Sequence, residues 1–255
     1  MQNHMLEKLR NGQNVIGTFF ESGSVAIAEI LGLCGLDYIL IDMEHAPYTL
    51  KEVTSFIIAS ELRGATPVVR VKNTLRSTIL NTLDIGAKAL VIPAVKEVED
   101  VKKVLEYAKY YPTGQRGAFF PRGADYGLKG QFADIENHFI ETNKKTMIIP
   151  QCETKESVEC IEDIVSLDGV DGIFIGPYDL SIALGKPAAF ADPIVVNAFS
   201  KVVETCKKHN KYCFIYAPNA EAAKKYFANG YRGVCISSDI IEIGGNFKKI
   251  VSDCA

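Results

Sequence analysis

Residues 147–153 read MIIPQCE and residues 169–181 read GVDGIFIGPYDLS, and in each stretch an acidic side chain comes just after a short apolar run. Such runs are typical of strands in a parallel sheet that is covered on its outer side. Gln151 and Glu153 are two residues apart, so on an extended strand their side chains point to the same face. Asp179 follows the second run and a Gly-Pro turn. If the two strands are neighbours, the carboxylates of Glu153 and Asp179 meet at one end of the sheet.

The same pattern extends along the whole chain, where short apolar runs alternate with longer segments of helical periodicity. Eight runs are present, namely VIGTFF, YILID, PVVRV, ALVIP, MIIPQCE, GIFIG, YCFIYA and GVCIS. Eight strand–helix units in 255 residues predict an α/β protein with a (β/α)8 TIM barrel, formed by residues 1–255 as one domain, rather than an open doubly wound sheet. In barrels of this class the chemistry takes place at the C-terminal ends of the strands.

Composition and charge exclude several classes of protein. The formal net charge is −3, and Lys and Arg are not interleaved with aromatic residues, so neither nucleic acid nor an anionic membrane is an expected partner. No apolar run approaches the ~18 residues of a membrane span. The seven cysteines include no C-x-x-C pair, which favours reduced thiols over disulfides or a zinc site. The first residues read as a short amphipathic helix rather than a signal peptide, and we expect a cytoplasmic protein.

One region departs from the alternation of runs and helices. Residues 110–129, YYPTGQRGAFFPRGADYGLK, contain two prolines and several glycines and show no helical period. A loop of this length inside a compact domain is usually functional, although a simple surface excursion is the alternative.

Ionisable side chains follow several of the predicted strands. His45 lies in DMEHAP directly after the second run, where a histidine serves as a general base near neutral pH or, alternatively, caps a turn at the rim. Arg70 ends the third run, and an arginine that points into a barrel mouth needs an anionic partner. That partner is either a structural one, Glu44 or Glu153, or a substrate carboxylate or developing enolate.

Glu153 and Asp179 have two interpretations. Each is followed by residues that resemble the start of a helix, so either could be a helix cap or a loop acid. Together with Gln151 at the same predicted rim, they favour a metal site, and oxygen-only ligands favour Mg²⁺ or Mn²⁺ over zinc. The turn before Asp179 also offers the backbone N–H groups of Tyr178 and Asp179, which could hold a carboxylate.

Six blocks of the sequence resemble, in order, those of a known family: LIDMEHAP, PVVRV, LDIGAKALVIP, YYPTGQRG, QCET and GVDGIFIGPYDLSIALG. The family is the metal-dependent HpcH/HpaI aldolases, which cleave 4-hydroxy-2-oxo acids such as 2,4-dihydroxyhept-2-enedioate and 2-dehydro-3-deoxyglucarate. The resemblance implies a (β/α)8 barrel that assembles as a hexamer, and we expect the C-terminal helix to contribute to oligomer contacts. It also implies an aldolase that produces pyruvate, or a close 2-oxo acid, and an aldehyde, with Mg²⁺, Mn²⁺ or Co²⁺ as its divalent cofactor.

The resemblance also implies roles for individual residues. Glu153 and Asp179 would bind the metal. Gln151, with the backbone of Tyr178 and Asp179, would hold a pyruvate-like group. Arg70 would stabilise the transition state.

The resemblance further implies that His45 is the base and that Asp84 raises its basicity. Asp84 lies in LNTLDIGA, at the end of a predicted helix and just before the fourth strand begins. That position is the opposite end of the barrel from the metal site. We therefore predict that Asp84 acts on the His45 of a neighbouring subunit, or that the coupling is indirect.

Two departures from the family pattern bear on the substrate. Position 178 is Tyr where the family usually carries Ala, which adds bulk near the site. The loop of residues 117–127 also differs from the family's Ala/Arg-rich loop, with Arg122 and Tyr126 as candidates for its roles.

Three other activities stay open on the sequence alone. The first is a lyase acting on a CoA thioester, as in the citrate and malyl-CoA lyases of the same superfamily, although no basic segment for a nucleotide is present. The second is a Schiff-base aldolase that uses Lys72. The third is a non-catalytic barrel that binds a 2-oxo acid, which would keep the metal pair but would not require His45.

Overall fold

Eight parallel strands form a closed barrel in which each strand pairs with the next one along the chain and the last pairs with the first. The structure is a computed structural model that describes residues 3–255. The strands coincide with the predicted runs: β1 (Val15–Phe20), β2 (Tyr38–Asp42), β3 (Thr66–Arg70), β4 (Ala89–Ile92), β5 (Met147–Cys152), β6 (Gly172–Ile175), β7 (Tyr212–Ala217) and β8 (Gly233–Ser238). The predicted (β/α)8 TIM barrel is confirmed.

Helices alternate with the strands and cover the outside of the barrel. They are α1 (His4–Arg10), α2 (Val25–Leu33), α3 (Leu50–Leu62), α4 (Arg76–Asp84), α5 (Val98–Ala108), α6 (Ile135–Lys145), α7 (Lys155–Glu159), α8 (Ile161–Ser166), α9 (Pro177–Ala183), α10 (Pro193–Lys208), α11 (Ala220–Ala228) and α12 (Asp239–Cys254). Two short 3₁₀ segments, Arg122–Gly127 and Gln131–Asp134, lie between α5 and α6.

The pleat of the strands separates the apolar residues into two cores. In β2, Tyr38 and Leu40 point into the barrel, whereas Ile39 and Ile41 pack against the helices. The large ring of Tyr38 fits because Gly17 on the neighbouring strand has no side chain, and a Cβ at that position would lie 2.4 Å from the ring. The barrel interior is therefore filled with side chains rather than forming a pore.

The N-terminal segment closes one end of the barrel. The apolar face of α1, Met5, Leu6 and Leu9, is buried in the inner core. The side-chain amide of Asn3 donates hydrogen bonds to the carbonyl oxygens of Lys88 and Lys145, at 3.3 and 2.9 Å. Because this end is closed by α1, a substrate must enter at the other end, where the strands finish.

Two segments differ from the sequence prediction. Residues 155–165 form one of the segments of helical periodicity between the runs and so predict a single helix, but α7 ends at Glu159 and α8 starts at Ile161, with Cys160 between them in a non-helical conformation. Residues 110–129 contain no α-helix, as predicted, but the 3₁₀ segment Arg122–Gly127 does form there, with Asp125 and Tyr126 at positive φ.

The C-terminal helix α12 is mostly exposed, and Asp239 is its one buried residue. Large apolar side chains are exposed along it, namely Ile240, Ile241, Ile243, Phe247, Ile250 and Val251. Within residues 3–255, no helix combines the length and the apolar character needed to cross a membrane. The seven cysteines are all free thiols.

Candidate active site

A cavity of about 250 Å³ opens at the C-terminal ends of the strands. Its walls include five residues that the sequence singled out: His45, Arg70, Gln151, Tyr178 and Asp179. The closed barrel therefore brings together residues that are more than one hundred positions apart in the chain.

Arg70 is held by two acidic side chains from the preceding strand and the residues just after it. Its Nε and Nη2 donate to the two carboxylate oxygens of Asp42, at 2.9 and 2.6 Å, and its Nη1 lies 3.1 Å from Glu44 Oε2. Asp42 faces Arg70 directly in the β2–β3 register. Burial alone would lower the pKa of Arg70, but its hydrogen bonds to Asp42 and the charges of Asp42, Glu44 and Glu153 raise it. The guanidinium is thus fixed as a cation at the cavity wall, stacked 4.9 Å from the ring centre of Phe19.

Glu153 is placed by two hydrogen bonds beside Gln151, which is a residue of the cavity wall. The backbone N–H of Ala94, after β4, donates to its Oε1 at 2.5 Å, and the amide of Gln151 donates to its Oε2. The same-face pairing predicted for Gln151 and Glu153 is therefore present. The helix-cap alternative does not hold for Glu153, because Thr154 caps α7 and accepts from the backbone N–H of Ser157.

Asp179 lies in the first turn of α9, whose N-cap is Gly176 and whose first residue is Pro177. It is therefore not the cap of this helix either. The N–H groups of Tyr178 and Asp179 belong to this first turn and have no carbonyl partner within the helix. Both residues line the cavity, so these donors are available to an anionic group there.

The group formed by Gln151, Glu153, Gly176 and Asp179 fits a hard divalent cation. Burial raises the pKa of Glu153, and the charges of Glu44 and Asp179 add to this rise. A cation bound by Glu153 and Asp179 would offset this repulsion. The Oε1 atom of Gln151 is buried without a hydrogen-bond partner in residues 3–255, which leaves an oxygen ligand or acceptor unused. A Cβ at Gly176 would lie 2.9 Å from Glu153 Oε2, so only glycine leaves this carboxylate free.

The carboxylates form a pair of candidate ligands rather than a larger cluster. Within residues 3–255, no three His, Cys, Asp or Glu side chains are grouped so as to hold a metal ion. Mg²⁺ needs no such group, because it is usually bound through one or two carboxylates, with water or substrate oxygens as its other ligands.

His45 and Asp84 lie at different ends of the barrel. His45 is exposed at the mouth, and its ring makes no hydrogen bond to any residue of the described chain. Asp84 ends α4, before β4 begins, and accepts a hydrogen bond of 2.8 Å from Arg116. The structure therefore does not bring the two together in one chain, and a His45–Asp84 pair between subunits stays a prediction.

Lys72 is exposed and does not belong to the cavity wall. A Schiff-base lysine acts from inside the site, where desolvation depresses its pKa. The structure gives no support to the Schiff-base alternative for this residue.

Several cavity residues were not singled out by the sequence. Glu21 directly follows β1, Tyr216 is in β7 and Ser237 is in β8. Glu21 carried the same signal as Glu153, an acid just beyond an apolar run, and it could have been found that way. Burial raises the pKa of Tyr216, and the charges of Tyr178 and Glu21 add to the rise, so its hydroxyl stays protonated.

Comparison with known proteins identifies the family. The sequence model of the HpcH/HpaI aldolase/citrate lyase family matches residues 15–243. The chain belongs to this family. A relative named 2-keto-3-deoxy-L-rhamnonate aldolase, from Salmonella gallinarum strain 287/91, is 32% identical over 239 residues, which cover 94% of this chain and 88% of that protein.

Two solved structures are similar over almost the whole chain. The HpcH/HpaI aldolase from Desulfitobacterium hafniense DCB-2 has a TM-score of 0.93 and 27% sequence identity, covering 99% of this chain and 97% of that one. Citrate synthase SbnG has a TM-score of 0.89 and 26% identity, covering 99% and 98%. The predicted family and the predicted aldolase activity, a carbon–carbon lyase reaction, are confirmed. Class II aldolases of this family generally depend on a divalent metal.

Proposed function

We propose that this aldolase cleaves and forms the C3–C4 bond of a 4-hydroxy-2-oxo acid, with pyruvate or a close 2-oxo acid as one product and an aldehyde as the other. The observation that carries the proposal is the convergence of Asp179, Gln151 and Arg70 in one cavity wall, with Glu153 hydrogen-bonded to Gln151. These groups offer two carboxylates, an unused amide oxygen and a fixed cation. A 2-oxo acid presents the complementary set, a carboxylate and a carbonyl oxygen.

Glu153 and Asp179 would hold the divalent cation, Mg²⁺ or Mn²⁺ and with Co²⁺ as a further candidate. When bound, such a cation supplies Lewis-acid polarisation of the 2-oxo group and balances the charge of the enolate. The N–H groups of Tyr178 and Asp179 hold the substrate carboxylate, and Gln151 orients the donor beside it. The binding geometry thus fixes the 2-oxo acid before any bond is broken.

Arg70 stabilises the negative charge that develops in the reaction, and His45 transfers the proton. In cleavage His45 removes the proton of the 4-hydroxyl, the C3–C4 bond breaks, and its electron pair stays on the 2-oxo acid as an enolate. Arg70 stabilises the negative charge that develops on the enolate oxygen. A proton returned to C3 completes pyruvate, and the reverse sequence gives condensation.

We also propose that the active unit is an oligomer, a hexamer on the family resemblance, in which Asp84 of one subunit orients His45 of another. An apolar groove lies between α2 and α12 and is lined by side chains that include Ile27, Ile30 and Ile236. The exposed apolar face of α12, with Phe247 and Ile250, supports the use of this helix between subunits. We further propose a cytoplasmic protein, since free thiols suit a reducing compartment.

The proposed reaction is tested by pyruvate release from a 4-hydroxy-2-oxo acid, measured with lactate dehydrogenase and NADH, before and after EDTA. We expect EDTA to abolish the activity and Mn²⁺ or Mg²⁺ to restore it. Activity that survives EDTA, together with loss of activity on borohydride reduction in the presence of pyruvate, would replace the proposal with a Schiff-base mechanism. Release of CoA from an acyl-CoA substrate instead of pyruvate would favour the CoA lyase.

A further inference from the structure

The side of the cavity across from Gln151 carries polar groups that the proposed mechanism does not use. In a closed barrel of eight strands, β8 and β1 lie opposite β4 and β5. Glu21, at the end of β1, and Ser237, in β8, both line the cavity. Neither side chain has a hydrogen-bond or ion-pair partner within residues 3–255. Both are therefore available to a ligand.

Ser237 occupies its position at a conformational cost. Its φ is +52°, in the left-handed region that non-glycine residues rarely adopt. The β1–β8 register shifts at the same place, since Gly17 pairs with Cys235 but Phe19 pairs with Ser238, so β8 carries one extra residue. Bulges of this kind re-aim side chains beside active sites, and strain held there is often functional. Ser237 is buried and lines the cavity, in a backbone conformation that glycine would adopt without strain.

The charge on this side of the cavity is negative. Glu21 contributes a carboxylate, and among residues 3–255 Arg70 is the one Lys or Arg side chain of the cavity wall, where it already pairs with Asp42 and Glu44. Tyr216 adds a hydroxyl next to Glu21. A ligand group on this side therefore meets hydrogen-bond acceptors and hydroxyls, and it finds no free positive charge in the described part of the chain.

We propose that Glu21 and Ser237 form the acceptor subsite of this aldolase and select an uncharged, hydroxylated aldehyde over one that bears a carboxylate. The inference rests on the proposed function, because it assumes that the 2-oxo acid occupies the side with Gln151 and Asp179. The aldehyde that joins or leaves C3 then lies in the rest of the cavity. Its hydroxyl groups donate to the carboxylate of Glu21, a strong charge-assisted hydrogen bond, whereas a second carboxylate is repelled.

Condensation of pyruvate with two matched aldehydes tests the charge selection. Succinic semialdehyde carries a carboxylate, and its methyl ester is uncharged but of similar shape. For the natural chain we expect kcat/KM to favour the ester, and in Glu21→Gln we expect the ester-to-acid ratio to fall about tenfold because the like-charge repulsion is removed. Glu204→Gln is the matched control: it removes an exposed carboxylate from α10, outside the cavity wall, and should leave the ratio unchanged.

Failure of this inference is distinguishable from failure of the proposed function. Exchange of the pyruvate methyl protons for deuterium, followed by NMR, needs only the metal side of the cavity and no aldehyde. If the metal-loaded natural chain shows neither exchange nor condensation, the proposed function fails. If it shows both, but the ester-to-acid ratio is the same in Glu21→Gln as in the natural chain, the acceptor subsite is refuted.

Ser237→Gly tests the second half of the subsite with a variant that should fold well. Glycine relieves the left-handed strain, so we expect the melting temperature to be equal or higher. The preference for lactaldehyde over propanal, which lacks the hydroxyl, should fall about threefold to tenfold with loss of one hydrogen bond. An unchanged preference in this variant would show that Ser237 has only a structural role.

Discussion

At the scale of single residues, Arg70 shows what sequence reasoning could and could not supply. A cation at the end of a buried strand requires an anionic partner, which the sequence made evident. It did not identify Asp42, because that choice depends on the register between β2 and β3, which places the two residues opposite each other. The two hydrogen bonds to buried Asp42 fix the plane of the Arg70 guanidinium. Its Nη1 faces Glu44, which is more exposed than Asp42.

Replacement of this arginine by lysine tests whether its geometry matters. Arg70→Lys keeps the charge but loses the two-pronged contact with Asp42. We expect kcat to fall about 100-fold, since removing one preorganised donor from a developing oxyanion costs about 10²–10³ in rate. Arg63→Lys is the control, because Arg63 pairs with Glu29 at an exposed site far from the cavity. Unchanged kcat in Arg70→Lys would remove Arg70 from the mechanism.

Glu21 and Glu153 show how a local pattern is recognised in one place and missed in another. Both residues follow an apolar run directly, but Glu153 also has Gln151 on the same face and Asp179 after the next run. Glu21 has no such company in the sequence. Its position in the cavity depends on closure of the barrel between β1 and β8, a contact between the two ends of the chain.

At the scale of elements, the sequence predicted the strands well, but it did not predict the break between α7 and α8 or the extra residue in β8. Continuous apolar runs define β1 to β8, because a strand buried on both faces needs little else. The extra residue in β8 is defined by its register with the distant β1, and the break between α7 and α8 lies at Cys160. Nothing in the local residues distinguishes them from a regular helix or strand.

The start of α9 provides a test at this scale. Gly176→Ala should fit the backbone, whose φ is −85°, but its Cβ would lie 2.9 Å from Glu153 Oε2 and 3.0 Å from Gln151 Nε2. We expect the affinity for Mn²⁺ to fall about tenfold while the far-UV circular dichroism is unchanged. Gly117→Ala is the control, since the nearest atom to a Cβ at that position would be Nη2 of Arg76, the end of a flexible side chain, at 3.4 Å. Equal Mn²⁺ affinity in both variants would contradict the placement of Glu153 as a ligand.

At the scale of the whole molecule, the closed barrel separates the residues that the family resemblance couples. α1 closes the end at which Asp84 lies, and His45 stands at the mouth of the other end. The sequence indicated this separation correctly, because helix ends and strand ends alternate between the two rims of a barrel. It could not show which surfaces meet between subunits, because those depend on the shape of the folded exterior.

Mixing two inactive variants tests the pairing between subunits. We expect His45→Ala and Asp84→Asn each to lose most of the aldolase activity when purified alone. Co-expressed in one assembly, they should regain a measurable part of it, because some sites then combine an intact His45 with an intact Asp84. Activity no higher than the average of the two separate variants would place the effect of Asp84 within its own chain.

The most direct test of the account is the binding of Mn²⁺ in the presence and absence of pyruvate, followed by electron paramagnetic resonance of the free ion. We expect one Mn²⁺ site per chain, whose affinity pyruvate increases, and we expect Glu153→Gln to weaken Mn²⁺ binding about 10- to 100-fold or more. Glu156→Gln, an exposed carboxylate three residues away, should bind as the natural chain does. Wild-type Mn²⁺ affinity in Glu153→Gln, with the same response to pyruvate, would contradict a 2-oxo acid held by a metal at Glu153 and Asp179.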